Sequence, residues 1–409
     1  MRNKKKKKEK WVRWRHKLVR DLLYLPLGTW IRLKYRIKIE RFREKKRRQY
    51  LILTNHQTPF DQFFISMSVR GAIYYMATED IFSMGWLSRL IRFLIAPIPI
   101  KKQTTDVKAV LNCLRIVKEG GTICIAPEGN RTYSGKPCHI NPAIAPLARK
   151  MGLPILLYRI EGGYGTQPRW SDKVRRGRMH AGVARVIEPE EYASLSDEAL
   201  CGLIKDTLTV DEASVDTLYR SRHRAEYLER VLYVCPHCGL SRFESRRDTV
   251  RCLSCGRGVR YLESKELDGL KEPTPFRFLA NWYEYQENFV RALDLSPYED
   301  TPMFIDGEVR LSRVIPYERK EKLEKKAVVS LYGNSIAVKG KKEEYLFSFD
   351  EVSAVTVLGR NKANIYIDKD IYQLKGDKRF NALKYMHIYH CYKNSKEAEK
   401  NGKELFLGI

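Results

Sequence analysis

The tightest constraint on the fold is a short apolar run, residues 50–54 (Tyr-Leu-Ile-Leu-Thr), that breaks straight into Asn55 and His56. Such a run is too short for a helix and reads as a buried strand. A second run of the same kind, residues 122–126 (Thr-Ile-Cys-Ile-Ala), breaks into Pro127, Glu128, Gly129, Asn130 and Arg131. Helical patterns cover residues 109–118 and 140–151, and further strand patterns cover 154–160 and 182–187. Strands alternate with helices over residues 30–210, which predicts an α/β domain.

Charge bears on what lies before that domain. The formal net charge is +27, and residues 1–48 hold 21 Lys and Arg against 4 Asp and Glu, so they supply +17 of it. A surplus of this size implies an anionic partner: nucleic acid, an acidic membrane surface, or an acidic protein or substrate. Trp11, Trp14, Leu18, Leu22 and Leu25 recur at spacings of three and four, with Arg13, Arg15, Lys17 and Arg20 around them. That is the composition of an amphipathic membrane-surface helix, helped by about 1 kcal/mol per Lys or Arg near an anionic surface. The alternative is a helix packed on the core with a solvated basic face. Pro26 and Gly28 are expected to end it. Ile31, Leu33, Tyr35, Ile37 and Ile39 then alternate with Arg32, Lys34, Arg36, Lys38 and Glu40, the period of a half-buried strand.

The basic start is not followed by an apolar run and cleavage site, so no signal peptide is read. The best candidate span, residues 81–100, carries Arg89 and Arg92, and a bilayer needs about 20 apolar residues. The expectation is a peripheral or monotopic protein on the cytoplasmic face of a membrane. Nine cysteines, only four of them in a pattern, are not a secreted disulfide framework and suit a reducing compartment.

A histidine at the end of a buried strand, with Asp61 five residues on and Pro59 in the turn between, makes a useful geometry. A carboxylate on one imidazole nitrogen sets the tautomer and stabilises the imidazolium. The other nitrogen can then take a proton from an alcohol, worth about 10²–10⁴-fold in rate. In the second turn, Arg131 offers a planar fork to phosphate oxygens; a plain Glu128–Arg131 salt bridge is the alternative. Residues 98–102 (Ile-Pro-Ile-Lys-Lys) add an apolar stretch ending in Lys101 and Lys102, and residues 152–156 (Gly-Leu-Pro-Ile-Leu) read as a strand entry.

Together these four blocks resemble the glycerolipid acyltransferases related to 1-acylglycerol-3-phosphate acyltransferase, over roughly residues 10–210. The resemblance implies His56 as general base and Asp61 as the residue that orients it. It also implies Asn55, Lys101, Glu128, Gly129 and Arg131 at the substrate, with Glu128, Gly129 and Arg131 organising the acceptor's phosphate. Acyl-CoA or acyl carrier protein would be the donor, a lysophospholipid the acceptor, and an anionic membrane surface the setting. Asn130 stands where Thr is common, Ala126 where Phe is common, and residues 99–102 replace the usual Phe-Ile-x-Arg.

Cys235, Cys238, Cys252 and Cys255 form two Cys-x-x-Cys pairs separated by 13 residues, each followed by Gly, at 239 and 256. Four thiolates so spaced predict a structural Zn²⁺ site in a small zinc ribbon, with His237 on its surface. Such ribbons sometimes bind nucleic acid, and with the basic tail this is a rival reading of the chain. The stripe beside that tail lacks stacking aromatics on a sheet, and nucleic acid is the weaker partner.

Residues 214–233 read as a charged helix and 276–295 as an aromatic one. Six strand patterns between 327 and 374 and a helix over 379–393 resemble a pleckstrin-homology-like barrel closed by a helix. Arg360, Lys362, Lys375, Lys378 and Arg379 offer it a basic rim, with a plain solvated basic surface as the favoured alternative. His387, His390 and Cys391 are read as packing. The expected division is 1–29 basic tail and amphipathic helix, 30–212 acyltransferase domain, 213–264 helix and ribbon, 265–318 linker and aromatic helix, and 319–409 barrel-like module.

Overall fold

The computed structural model describes residues 10–44, 48–100, 106–213, 217–315, 318–341 and 343–401. Its first half contains α1 (Trp14–Tyr35), β1 (Ile37–Ile39), β2 (Leu51–Thr54), α2 (Asp61–Ser68), β3 (Ile73–Thr78), α3 (Glu79–Phe82), α4 (Trp86–Ile95) and β4 (Ile98–Ile100). It continues with α5 (Val107–Lys118), β5 (Thr122–Ile125), α6 (Ile144–Met151), β6 (Ile155–Glu161), α7 (Gly163–Thr166), β7 (Met179–Ile187), α8 (Pro189–Ala193) and α9 (Asp197–Leu208). The strands make one sheet in the order β1-β7-β6-β2-β5-β3-β4, the α/β architecture expected.

Successive side chains of a strand point to opposite faces, so an unbroken apolar run needs cover on both. Leu51, Leu53, Ile123, Ile125, Ile155 and Leu157 pack with Cys113 and Ile116 of α5 and Ile144 of α6. Tyr50, Ile52, Cys124 and Leu156 pack on the other side with Ile31 and Tyr35 of α1 and Phe64 and Ile65 of α2. Strand β2 runs parallel to β5 and β6, with Leu53 opposite Ile125 and Leu157. The His56 and Glu128 turns therefore leave the sheet side by side, at the carboxyl ends where open α/β sheets bind ligands.

The N-terminal region corrects two expectations. Helix α1 runs through Pro26 to Tyr35, and only Ile37–Ile39 are strand. Pro26 removes one hydrogen bond, but Leu22, whose carbonyl loses the donor, is exposed. Gly28, Ile31 and Tyr35 are buried at helical spacing, and a Cβ on Gly28 would meet Met67 Cε of α2 at 3.0 Å. Leu33, which the two-residue period placed inward, is 75% exposed. Trp14, Leu18, Leu22 and Leu25 of the predicted stripe are all exposed. Trp11 leaves it: its Nε1 donates to the Ala96 carbonyl (3.0 Å). Among the described residues no helix is long and apolar enough to cross a membrane.

Beyond α9 the expected charged helix is absent from residues 217–233, which hold a short 3-10 turn, Leu228–Arg230; residues 214–216 lie outside the described ones. The backbone here bonds to distant chain instead. Tyr219 N donates to Glu263 O and Ala225 N to Arg247 O (both 2.8 Å), a tertiary override of helix propensity. A four-stranded antiparallel sheet follows (Phe243–Arg246, Thr249–Cys252, Gly258–Tyr261, Leu267–Gly269), then the aromatic helix, Leu279–Arg291.

The C-terminal sheet has seven antiparallel strands, not six. The extra one, Phe304–Arg313, is its central strand and lies ahead of the expected boundary at 319. A register shift between Asp306 and Val309, with Glu308 at φ 58°, breaks its alternation and hid it. Counted from that strand, the order across the sheet is fourth, third, second, first, seventh, sixth, fifth, and helix Leu383–Asn401 packs on the fifth and sixth of these strands. Tyr233, Val250, Trp282, Val309 and Tyr385 belong to one core, so cysteine segment, aromatic helix and sheet are a single packed unit.

Candidate active site

The turn after β2 is pinned before it does any chemistry. Asn55 Nδ2 donates to Ile160 O and Asn55 Oδ1 accepts from Ile160 N, both at 2.8 Å. Asn55 was expected at the substrate; buried and bonded to β6 through both ends of its amide, it positions the turn instead. Gln57 Oε1 likewise accepts from Tyr164 N (3.2 Å).

His56 Nδ1 donates to Asp61 Oδ2 at 2.7 Å. Asp61 is the first residue of α2, where the helix dipole favours a carboxylate. It is buried, and its oxygens also accept from Gln57 N (2.8 Å), Thr58 N (2.8 Å) and Thr58 Oγ1 (2.7 Å). Four donors lock one rotamer and keep it an acceptor, which assigns the proton to His56 Nδ1. The His56 side chain is 32% exposed, and Nε2 is the ring nitrogen that Asp61 does not engage.

The turn after β5 is held by Gly129, whose N–H donates to Ala126 O (3.0 Å) at φ 65°. A Cβ there would touch nothing, so the glycine answers to the backbone angle alone. Burial raises the Glu128 carboxyl to about 8; the His56 backbone N–H opposes this and the Asp61 charge adds to it. Near neutral pH a good share of Glu128 is protonated and can donate to a hydroxyl. Among the described residues it makes no ion pair with Arg131, so the two do not form the plain salt bridge. Arg131 is buried, and its Nη1 has no hydrogen-bond partner. Burial, then the charges of Arg169 and Arg360, lower it to about 10, which leaves it charged. Lys101 lies outside the described residues.

Sequence reasoning missed Arg169. It is buried, its Nη1 donates to Arg131 O (3.0 Å), and its guanidinium lies 4.2 Å from the Tyr133 ring centre. Nothing in its local sequence signals this. The arrangement as a whole is an imidazole held in one tautomer beside a carboxyl raised by burial and an under-satisfied guanidinium. It suits proton removal from an alcohol that carries an anionic group.

The second candidate site is the cysteine cluster. The thiols of Cys235, Cys238, Cys252 and Cys255 lie within 4.8 Å of one another and could hold a metal ion. Cys235 and Cys255 sulfurs are 3.8 Å apart, the spacing expected when tetrahedral bonds of about 2.3 Å meet at one centre. Gly239 and Gly256 both have left-handed φ, 70° and 72°, which aims each pair inward. His237 is exposed. His387, by contrast, is a core residue: its Nδ1 lies 2.5 Å from Tyr233 Oη, and burial lowers it to about 3.

Residues 36–160 match the family model described as Acyltransferase. The 1-acyl-sn-glycerol-3-phosphate acyltransferase BAT2, chloroplastic, of Brassica napus is 22% identical over 148 residues, 36% of this chain and 41% of that protein. This chain thus spans less than half the length of that relative. The 1-acyl-sn-glycerophosphate acyltransferase PlsC of Thermotoga maritima aligns with 47% of this chain and 76% of its own, at 21% identity and a TM-score of 0.39. The N-terminal PH domain of human ARAP2 aligns with 22% of this chain and 81% of its own, at 18% identity and a TM-score of 0.19.

Proposed function

We propose that the chain, whose residues 36–160 match the acyltransferase family model, moves a fatty acyl group from a thioester donor, acyl-CoA or acyl carrier protein, to the free hydroxyl of a lysophospholipid. The acceptor that fits best is 1-acylglycerol 3-phosphate, giving phosphatidic acid. The observation that carries this reading is the 2.7 Å bond from His56 Nδ1 to a fully satisfied Asp61. His56 Nε2 takes the hydroxyl proton as that oxygen bonds to the thioester carbonyl carbon. The tetrahedral adduct collapses, the C–S bond breaks, and the leaving sulfur takes the proton from His56 Nε2, which returns the imidazole to its neutral form. Asp61 stabilises the imidazolium between the two transfers. Arg131 holds the acceptor's phosphate, and Glu128 meets a glycerol oxygen.

A membrane surface is the setting this reading needs, since both acceptor and product are lipids. Supporting it, α1 and α4 pack together and expose Trp14 (79%), Trp86 (73%), Leu22, Leu25 and Phe93 beside the basic N-terminal segment. Exposed apolar patches of this kind mark interaction surfaces. The anionic cytoplasmic leaflet is the partner that matches the charge. The four cysteines hold Zn²⁺, as the all-sulfur donor set favours, and the ion is structural.

The test is thiol release from acyl-CoA and from acyl carrier protein with a panel of lysophospholipids, read with lipid mass spectrometry of the products. Wild-type turnover in purified His56→Ala would defeat the assignment of the base. Unchanged flotation with anionic liposomes after deletion of residues 1–28 would defeat the surface helix.

A further inference from the structure

The turn between strands Ala354–Leu358 and Lys362–Ile367 of the C-terminal sheet is tied to the acyltransferase domain. Arg169 makes the tie nearest the site. Its Nη1 donates to the carbonyl of Arg131 (3.0 Å) and its Nη2 to the carbonyl of Val357 (3.1 Å), so one buried guanidinium links the Glu128–Arg131 turn to this hairpin. Asp172 makes a second tie: it pairs with Arg360 at the hairpin tip (2.8 Å) and with Arg230 (2.9 Å). A third is Asp80 of α3, which accepts from Lys320, Lys362 and, at 3.3 Å, Gln373. The tip itself is braced by Asn361, whose Nδ2 donates to Gly376 O (3.1 Å) and Asp377 O (2.6 Å).

These ties concentrate cations beside the His56 turn. Arg131, Arg169, Arg360 and Lys34 gather there, and the charge of Arg360 is felt at Arg131, Lys34 and Tyr35. Three carboxyl groups are near, and burial raises that of Glu128. Asp61 is committed to His56 and Thr58, and Asp172 is shared between Arg230 and Arg360. The cluster is correspondingly under-satisfied: Arg131 Nη1 and Arg360 Nε are both buried without a hydrogen-bond partner. Buried guanidinium donors without acceptors are costly, and a multi-oxygen anion is the ligand that relieves them.

We propose that Arg360 is a substrate-binding residue, delivered by the C-terminal module into the acyltransferase site, where with Arg131 it holds a phosphate monoester of the acceptor. The inference rests on the acyl-transfer reading of His56. It makes the module part of the site and gives it a role in selectivity. A terminal phosphate monoester carries two charges and three free oxygens, enough for two guanidinium groups. A phosphodiester carries one charge and two free oxygens, and its substituent crowds the second arginine. The donor coenzyme also carries a phosphate monoester, and the acceptor is favoured because Arg131 lies in the turn beside the base.

The experiment uses the purified full chain and its Arg360→Ala and Arg360→Lys variants, with melting temperature as a folding control. KM is measured for 1-acylglycerol 3-phosphate, for the phosphodiester lysophosphatidylglycerol, and for acyl-CoA. Loss of one charge-assisted contact in Arg360→Ala should raise KM for the monoester about tenfold. The diester should lose clearly less, and Arg360→Lys should recover part of the loss. An unchanged monoester KM, an equal loss on both acceptors, or a shift confined to acyl-CoA each overturns the proposal. Should the wild-type chain release no thiol with any acceptor, the acyl-transfer reading fails separately. Calorimetry with sn-glycerol 3-phosphate then reads the anion site alone: about tenfold weaker binding in Arg360→Ala supports it, and equal binding in both chains overturns it.

Discussion

Asp61 and Arg131 stand beyond the ends of neighbouring parallel strands, yet their surroundings differ in kind. Every oxygen of Asp61 has two donors within 2.8 Å, while Arg131, equally buried, keeps Nη1 without a partner beside two other arginines. The first turn is complete without a ligand; the second is not. In the first, charge is organised to hold a histidine in one tautomer. In the second, a buried donor is left without an acceptor. Satisfied polar groups contribute to stability, whereas under-satisfied ones cost it and persist for function.

The sharpest way to break this comparison is to remove each partner in turn. His56→Ala should cut kcat by about 10²–10⁴-fold with an unchanged melting temperature. Asp61→Ala should also lower that temperature, because it strips a four-donor turn. If Asp61→Ala melts like wild type, the first turn does not depend on its carboxylate and the contrast fails.

Arg131→Met should behave in the opposite way. The acceptor KM should rise by about tenfold or more, while stability holds or improves, since replacing a buried charge by an apolar side chain is often neutral or stabilising. A large loss of stability would mean that Arg131 is a structural residue.

Metal removal tests the other half of the molecule. Elemental analysis should find one zinc per chain. Chelation should lower the melting temperature by several degrees, because the cysteine segment shares its core with the C-terminal sheet. If the module also completes the acyltransferase site, the monoester KM should rise with it. An unaltered melting curve after complete metal loss would sink the structural role.

pH acts with opposite signs in the two halves. Glu128 is raised in the folded chain from 4.5 to about 8, chiefly by burial. Between those values the folded state binds the extra proton, so stability is lost as pH rises, by up to about 1.4 kcal/mol per unit. Glu128→Gln should therefore gain stability over wild type at pH 8 and not at pH 4. Burial lowers His387 and His390 to about 3 and 4. There the unfolded state binds the protons, so stability is lost as pH falls below 6.5, and His387→Gln should soften the acid transition. Denaturant midpoints across pH 4–8 check both slopes; a Glu128→Gln gain that does not grow with pH contradicts the first.

Much of the α/β domain was legible because its apolar runs need a covered sheet and its pattern is short-range. The helix α1 was misread at Pro26 and Leu33, where a local breaker and a false alternation outweighed the burial of Gly28, Ile31 and Tyr35. Strand Phe304–Arg313 was missed because its irregular register erases the period. Asn55 was placed at the substrate because nothing local reveals a partner at Ile160, 105 residues away.

By itself the sequence determined the groups whose members sit within a few residues of one another: the His56–Asp61 turn, the Gly129 turn and the two cysteine knuckles. Backbone geometry over so short a span leaves few arrangements, so residue type and spacing suffice. Tertiary structure alone decided the arginine cluster. Arg131, Arg169 and Arg360 span 230 positions, and a charge's neighbours over that distance are set by how sheets, turns and a whole second module pack. No local propensity encodes that, and for the same reason Arg360, legible only as one basic residue on a rim, pairs with Asp172 and makes its charge felt at Arg131.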